Sequence, residues 1–252
     1  VYEQRIGPLT YGFTYGNSRF IVLNSEENGA GGLISEKQRA WLKEDLAACH
    51  ADNIFIFMHQ PYFAQDWGRQ WAYVAETFTG FPVRAVFAGH NHVYRDCGVR
   101  DGVHYFITGG AGSYIETPEE EGGFSHYLRV QVKRDHVEYA VIRPGAVFPA
   151  NVIAQEKVDM IRALKRGLHT DPVEVPLGAG FDHSINVHME NPLQAPLASS
   201  LTWTIPAGWH VEPLEAPYSL APGASVELPF HVWSDGPAQT HFPAPAMVTK
   251  IQ

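Results

Sequence analysis

The chain has 252 residues, 45% of them apolar and 18% charged, which is enough apolar matter for a core and too much for a disordered chain. No run approaches the about 18 uninterrupted apolar residues of a membrane-spanning helix. The formal net charge of −9 argues against a nucleic-acid binder, which needs basic patches against phosphate.

In chain order, residues 19–23 (Arg-Phe-Ile-Val-Leu) form a short apolar run, predicted to be a buried strand. Ser35 opens a helix, and Gln38 three residues on completes a capping box. Leu42, Leu46 and Cys49 then share one face. Residues 53–58 read as a second buried strand. Trp71, Val74, Ala75 and Phe78 mark a second helical face, and residues 83–88 a third strand. Strand, helix, strand, helix, strand gives two crossover units around a largely parallel core. Further strands are predicted at 104–108, 127–132 and 136–142. A helix is predicted over 150–167, with Val158, Ile161, Leu164 and Leu168 near helical spacing and Gly167 capping its end.

From Val173 the period changes to two. Ile185, Val187 and Met189 fall on one face of 183–190, and 201–205 and 226–233 also read as strands. About six short strands between turn signals predict an incomplete immunoglobulin-like β-sandwich. Composition divides the chain in the same place. Fourteen of the 18 prolines lie at or beyond Pro144. After Arg166 the only Lys or Arg is Lys250, against eight Asp or Glu, so residues 167–252 carry −7 of the −9. The expected division is 1–143, an α/β unit; 144–172, a helical linker; and 173–252, the β-sandwich. The chain begins at Val1 rather than Met and ends without an obvious stop, so both ends read as cut. Cys49 and Cys97 allow at most one disulfide and say little about compartment.

Of the 13 histidines, three stand out by position. His59 follows the strand ending at Met58, and His90 and His92 follow the strand ending at Ala88. Ligands of an open parallel sheet collect beyond the carboxyl ends of its strands, so the three should converge. Imidazole suits zinc, iron, nickel or copper, and three imidazoles are much of a site. Gly89 lets the backbone turn sharply there.

Met58-His59-Gln60-Pro61, followed by Ala88-Gly89-His90-Asn91-His92-Val93-Tyr94, resembles the C-terminal half of the calcineurin-like metallophosphoesterases, the group that includes the purple acid phosphatases. Residues 11–20, Gly32-Leu33-Ile34-Ser35, residues 38–42 and Thr108-Gly109-Gly110-Ala111-Gly112 share the likeness, which covers about residues 1–143. The resemblance implies an αββα sandwich with mixed sheets and a two-metal site. His59 and His90 would bind one metal and His92 the other, the ions being iron, manganese or zinc. Two such ions roughly 3.5–4 Å apart supply a hydroxide that attacks phosphorus. The implied activity is hydrolysis of a phosphoric ester, mono- or diester.

The family's anionic ligands come from D-x-H, G-D-x-x-D and G-N-H-[DE] motifs, and none of these is here. No Asp is followed two residues later by His. Gly16-Asn17-Ser18 lacks the histidine and sits as a turn between two strand-like runs. Three neutral imidazoles should not hold two cations against their repulsion. The expectation is therefore a chain holding the histidine half of a dimetal site and inactive alone.

Other residues carry less. Asn91 is a candidate phosphate contact or a turn residue. Tyr94 lines the pocket or packs. His126 reads as a capping or surface residue, with a place behind the site as the alternative. His104 opens a strand. Residues 109–112 lack the Lys-Ser/Thr ending of a P-loop and read as a tight strand-exit turn. Residues 118–123 read as a solvated acidic loop. His183 and His188 are rejected as ligands. Trp203 and Trp209 offer a carbohydrate platform, though Trp203 fits a core better. Two other readings stand beside the hydrolase. One is a non-catalytic glycan- or protein-binding module on a degenerate domain. The other is a mononuclear zinc site with three histidines. An accessory sandwich rich in proline suggests a periplasmic or extracellular parent.

Overall fold

The strand Asn53–Met58 (β3) shows how the first sheet is built. Its side chains alternate. Ile54, Ile56 and Met58 enter one core, while Phe55 and Phe57 enter another on the opposite face. A strand apolar on both faces must be covered on both. The computed structural model describes residues 2–27, 34–64, 68–112, 114–241 and 243–249. Gly32 and Leu33 lie outside them. The protein is mostly β-sheet, in several sheets, with few helices. It divides into two compact units, Val1–Val158 and Asp159–Gln252.

A short helix, Tyr2–Arg5 (α1), opens the first unit. The strands Tyr11–Tyr15 (β1) and Ser18–Val22 (β2) form a hairpin, and Gly16, at φ 58°, supplies the left-handed turn position. Helix Glu36–Ala47 (α2) leads to β3, and helix Gly68–Ala75 (α3) to strand Val83–Ala88 (β4). Strands Tyr94–Arg100 (β5) and Val103–Thr108 (β6) complete a six-stranded sheet of order β1-β2-β3-β4-β6-β5. The pairs β2–β3, β3–β4 and β4–β6 are parallel; the edges β1 and β5 are antiparallel.

Leu42 and Leu46 of α2 and Trp71 and Val74 of α3 bury against Ile54, Ile56, Val86 and Ile107 on one face. Each such side chain removed from water is worth about 1.5–3 kcal/mol. The other face is covered by a second, antiparallel sheet: Tyr127–Lys133 (β7), His136–Arg143 (β8) and Ala146–Pro149 (β9). Its Leu128, Val132 and Val141 pack with Phe55, Phe87 and Phe106.

Local expectations change in four places. The expected helix over 150–167 is a 3-10 turn, Ala150–Ile153, then an extended Ala154, then helix Gln155–Arg166 (α4). Gly167 ends α4 without a left-handed turn. A Cβ there would stand 2.9 Å from the Glu190 carbonyl oxygen, so the glycine serves a close backbone approach. The capping box is half made. Ser35 Oγ accepts from the Gln38 amide, but the Gln38 side chain does not return to Ser35. The Ser35 amide donates instead to Glu27 (3.4 Å), whose carboxyl the Ser35 hydroxyl holds below the usual carboxylate range. The loop 118–123 is not fully solvated, because Glu121 is buried.

In the second unit, strands Leu168–Thr170 (β10), Gly180–Glu190 (β11), Trp209–Glu212 (β13) and Ser225–Pro237 (β15) form one antiparallel sheet, of order β10-β11-β15-β13. Leu197–Thr204 (β12), Glu215–Leu220 (β14) and Ala246–Thr249 (β16) form another, of order β14-β12-β16. Val187, Leu201, Val211, Leu220 and Phe230 share the core between them. Trp209 is buried there and Trp203 packs edge-on against Phe230, so the two tryptophans form no exposed platform.

Candidate functional site

The parallel strands deliver β3 and β4 to the same rim, Met58 paired with Ala88. His59 and His90 follow at once, and both rings are exposed. The Gly89 amide donates to the His59 carbonyl (3.0 Å), which ties the two strand exits together. The Asn91 amide then donates back to the Gly89 carbonyl (2.7 Å), with His90 between them at φ 62°. This is the rare tight turn with a positive central φ. A left-handed histidine costs about 1–2 kcal/mol, strain of the kind that collects at functional sites.

The turn aims the ring. His90 Nδ1 stands 3.3 Å from His59 Nε2, with ring centroids 5.2 Å apart and planes at 87°. Two nitrogens each about 2.0–2.1 Å from one tetrahedral ion stand about 3.3–3.4 Å apart. The pair therefore fits two of the positions around a single cation.

His92 turns elsewhere. Its Nδ1 lies 2.9 Å from the Tyr114 carbonyl oxygen. A carbonyl only accepts, so Nδ1 carries the proton and Nε2 the lone pair. Metal-ligating histidines commonly hold their tautomer this way. The structure thus brings His59 and His90 together and directs His92 to Tyr114. Among the described residues, no group of three or more His, Cys, Asp or Glu is gathered closely enough to hold an ion.

The backbone of Asn91 is engaged in the turn: its carbonyl accepts from Val93 (2.7 Å). It also explains Gly109, where a Cβ would stand 2.1 Å from the Asn91 oxygen. Gly110 is similarly confined, because a Cβ there would meet His126 Nδ1 and the Phe124 oxygen at 2.5 Å. Gly109 and Gly110 are therefore glycines for want of room, the first beside the histidine turn and the second beside His126, whereas Gly112 has open space and a φ of 82°.

His126 is buried rather than at the surface. Its Nδ1 donates to the Phe124 carbonyl (2.8 Å), so Nε2 accepts from the Thr108 hydroxyl (3.2 Å). Burial lowers its pKa, the Phe124 carbonyl opposing. Tyr94 is fully buried and donates to the Ala150 carbonyl (2.5 Å), so it packs rather than lining a pocket. His104 pairs with Asp96 (2.7 Å) and stacks on Phe106 within the sheets.

Sequence reasoning missed the residues that hold His59. Ser25 Oγ accepts from the His59 amide (3.1 Å) and the Gln60 amide (2.9 Å). Gln60 Nε2 donates to Glu26 (2.6 Å), and the Tyr62 hydroxyl donates to the Ser25 carbonyl (2.5 Å). No pattern in 24–27 signals this. Grooves of about 420 Å³, lined by Thr14, Arg19, Cys49 and Asp52 among others, and about 330 Å³, lined by Arg39, Tyr62 and Trp71 among others, do not include the three histidines. No helix among the described residues is long and apolar enough to cross a membrane.

No protein-family model matches the chain, and no curated protein does. Solved structures similar to it include GAP50, the anchor in the inner membrane complex of Plasmodium, at 16% identity over 55% of this chain and 47% of that one, with a TM-score of 0.33. A dimetal phosphatase from Danio rerio is similar at 21% identity over 52% and 53%, with a TM-score of 0.32. PhoD is similar at 13% identity over 96% and 44%, with a TM-score of 0.30. The chain spans about half the length of each of these structures.

Proposed function

We propose that the chain is the histidine-bearing part of a metal-dependent phosphoric-ester hydrolase of the calcineurin-like kind. One observation carries this reading: two imidazole nitrogens from neighbouring parallel strands stand 3.3 Å apart at the rim where such a sheet binds ligands. In this reading His59 Nε2 and His90 Nδ1 grip one cation. His92, its Nδ1 proton held by Tyr114, offers Nε2 to a second. Asn91, between them, donates its side-chain amide to a phosphoryl oxygen. When bound, the ions, iron, manganese or zinc, would activate water and offset the charge of the phosphoester. The bridging carboxylates come from outside these 252 residues, and the protein they belong to is periplasmic or extracellular. We read the second unit as an immunoglobulin-like accessory domain.

Zn²⁺ titration with a phosphomonoester assay tests the proposal. The chain alone is expected to bind no more than one Zn²⁺ tightly, through His59 and His90, and to show no turnover. Undiminished binding in both His59→Ala and His90→Ala overturns the site. Turnover with two tightly bound ions overturns the claim that the site is only half present. A second reading is a non-catalytic glycan- or protein-binding module. It requires that the chain bind no Zn²⁺ at the rim at all.

A further inference from the structure

We propose that Ser25 is the positioning residue of the histidine pair. Beyond Met58 the β3 backbone leaves the ladder, and the amides of His59 and Gln60 need new acceptors. One hydroxyl serves both, at 3.1 and 2.9 Å, and Ser25 is only 2% exposed. On the other side the His59 carbonyl accepts from Gly89 (3.0 Å). The His59 peptide is thus held from the exit of β2 and from the exit of β4. That fixes the backbone from which its ring reaches His90.

Ser25 is itself fixed. Its carbonyl accepts from Tyr62, and its neighbour Asn24 is gripped at both backbone atoms by Gln38 of α2. The Asn24 amide donates to Gln38 Oε1 (2.6 Å), and Gln38 Nε2 donates to the Asn24 carbonyl (3.0 Å). A path of hydrogen bonds therefore runs from α2 through Asn24 and Ser25 to His59 and its contact with His90. Gln38 is 4% exposed, so the path begins on rigid, buried ground. Removing the Ser25 hydroxyl leaves the buried Gln60 amide and the half-buried His59 amide without their acceptor and frees the His59 turn.

This deepens the metal-site reading and rests on it for one readout only. The experiment uses the full chain and three measurements: amide hydrogen exchange, the nuclear Overhauser contact between the His59 and His90 rings, and titration with Zn²⁺ alone. Ser25→Ala is expected to speed exchange at His59 and Gln60 at least tenfold relative to the preceding β3 amides. It should remove the ring contact and weaken Zn²⁺ binding by about tenfold or more. Ser25→Thr, which keeps the hydroxyl, is expected to restore all three. Val74→Ala, a cut into the α3 core, is expected to lower stability and move none of them. Unchanged exchange and ring contact in Ser25→Ala, or the same changes in Val74→Ala, overturn the proposal even where His59→Ala abolishes Zn²⁺ binding. Absence of Zn²⁺ binding in the parent chain overturns the metal reading instead, and exchange and ring contact then decide Ser25. Should Ser25→Ala fail to fold, Gln38→Leu applies the same measurements one step back along the path, with the same directions expected and the same null result overturning it.

Discussion

The protein displays histidines in two settings. At the rim of the first unit, His59 and His90 face each other, and among the described residues neither is paired with a carboxylate. On the outer face of the second unit's four-stranded sheet, three histidines have acids beside them, while His169 stacks flat on His188 with ring centroids 5.0 Å apart and planes at 19°. His210 meets Asp235 (2.7 Å), His231 meets Asp182 (2.7 Å), and His188 meets Asp171 (3.4 Å) and Glu227 (3.3 Å). An imidazole beside a carboxylate is satisfied by donating its N–H. Two imidazoles nitrogen to nitrogen meet either through one ring's N–H donating to the other or around a shared cation. Abundance of histidine is therefore uninformative, and what each ring faces separates a surface pair from a ligand pair.

That contrast can be broken in several ways. The largest expected effect is on the backbone of the rim. Gly109→Ala drives a Cβ to 2.1 Å from the Asn91 oxygen and should cost about 3 kcal/mol or more. Gly178→Ala in the second unit has open space around it and only a left-handed φ to resist it, about 1 kcal/mol. Hydrogen exchange read separately in the two units compares them. Next, His59→Ala or His90→Ala should weaken Zn²⁺ binding by about a hundredfold, given that even supporting residues cost 10–100-fold, while His210→Ala and His231→Ala leave it unchanged. Calorimetric titration of the four variants decides whether the ring-to-ring pair differs from the acid-paired ones.

A pH profile sharpens the picture of the rim. Burial holds His126 below the ordinary histidine value, and in the unfolded chain the ring takes its proton near pH 6.5. Its contribution is thus complete above about pH 6.5 and is lost as pH falls toward the lower folded value, at up to about 1.4 kcal/mol per pH unit. His126→Gln should flatten that stretch of the curve, measured as the change in unfolding free energy between pH 7.5 and 5.5. The smallest effect is Asp235→Ala, which removes an exposed partner of His210 and should shift stability by less than about 0.5 kcal/mol in a denaturant melt.

The frame of the first unit was readable because β2, β3 and β4 are short apolar runs that need cover on both faces, and the capped α2 lies between two of them. Gly16-Asn17 was readable as a turn because Gly16 takes the left-handed conformation that glycine favours. Strand β5 was not readable. It begins at Tyr94, directly after the Gly-His-Asn-His turn and Val93, carries Arg95 and Asp96 inward, and slips register between Asp96 and Val99. Gln38 was misread for a related reason: the capping pattern names its position, while its side chain spends its bonds on Asn24, 14 residues away. Strand direction alone sets His59 beside His90, but it carries no signal for His92, whose ring turns to Tyr114. The grip of Ser25 was hidden, since a serine after a strand carries no signal until the fold sets two amides beside it.

The left-handed backbone at His90 sets fold and purpose against each other. Glycine would relax that turn at no steric cost, and asparagine nearly so. Evolution of this protein in the laboratory for heat resistance alone should therefore discard the imidazole early, and a library that keeps it under that pressure would be reporting a second demand on the same position.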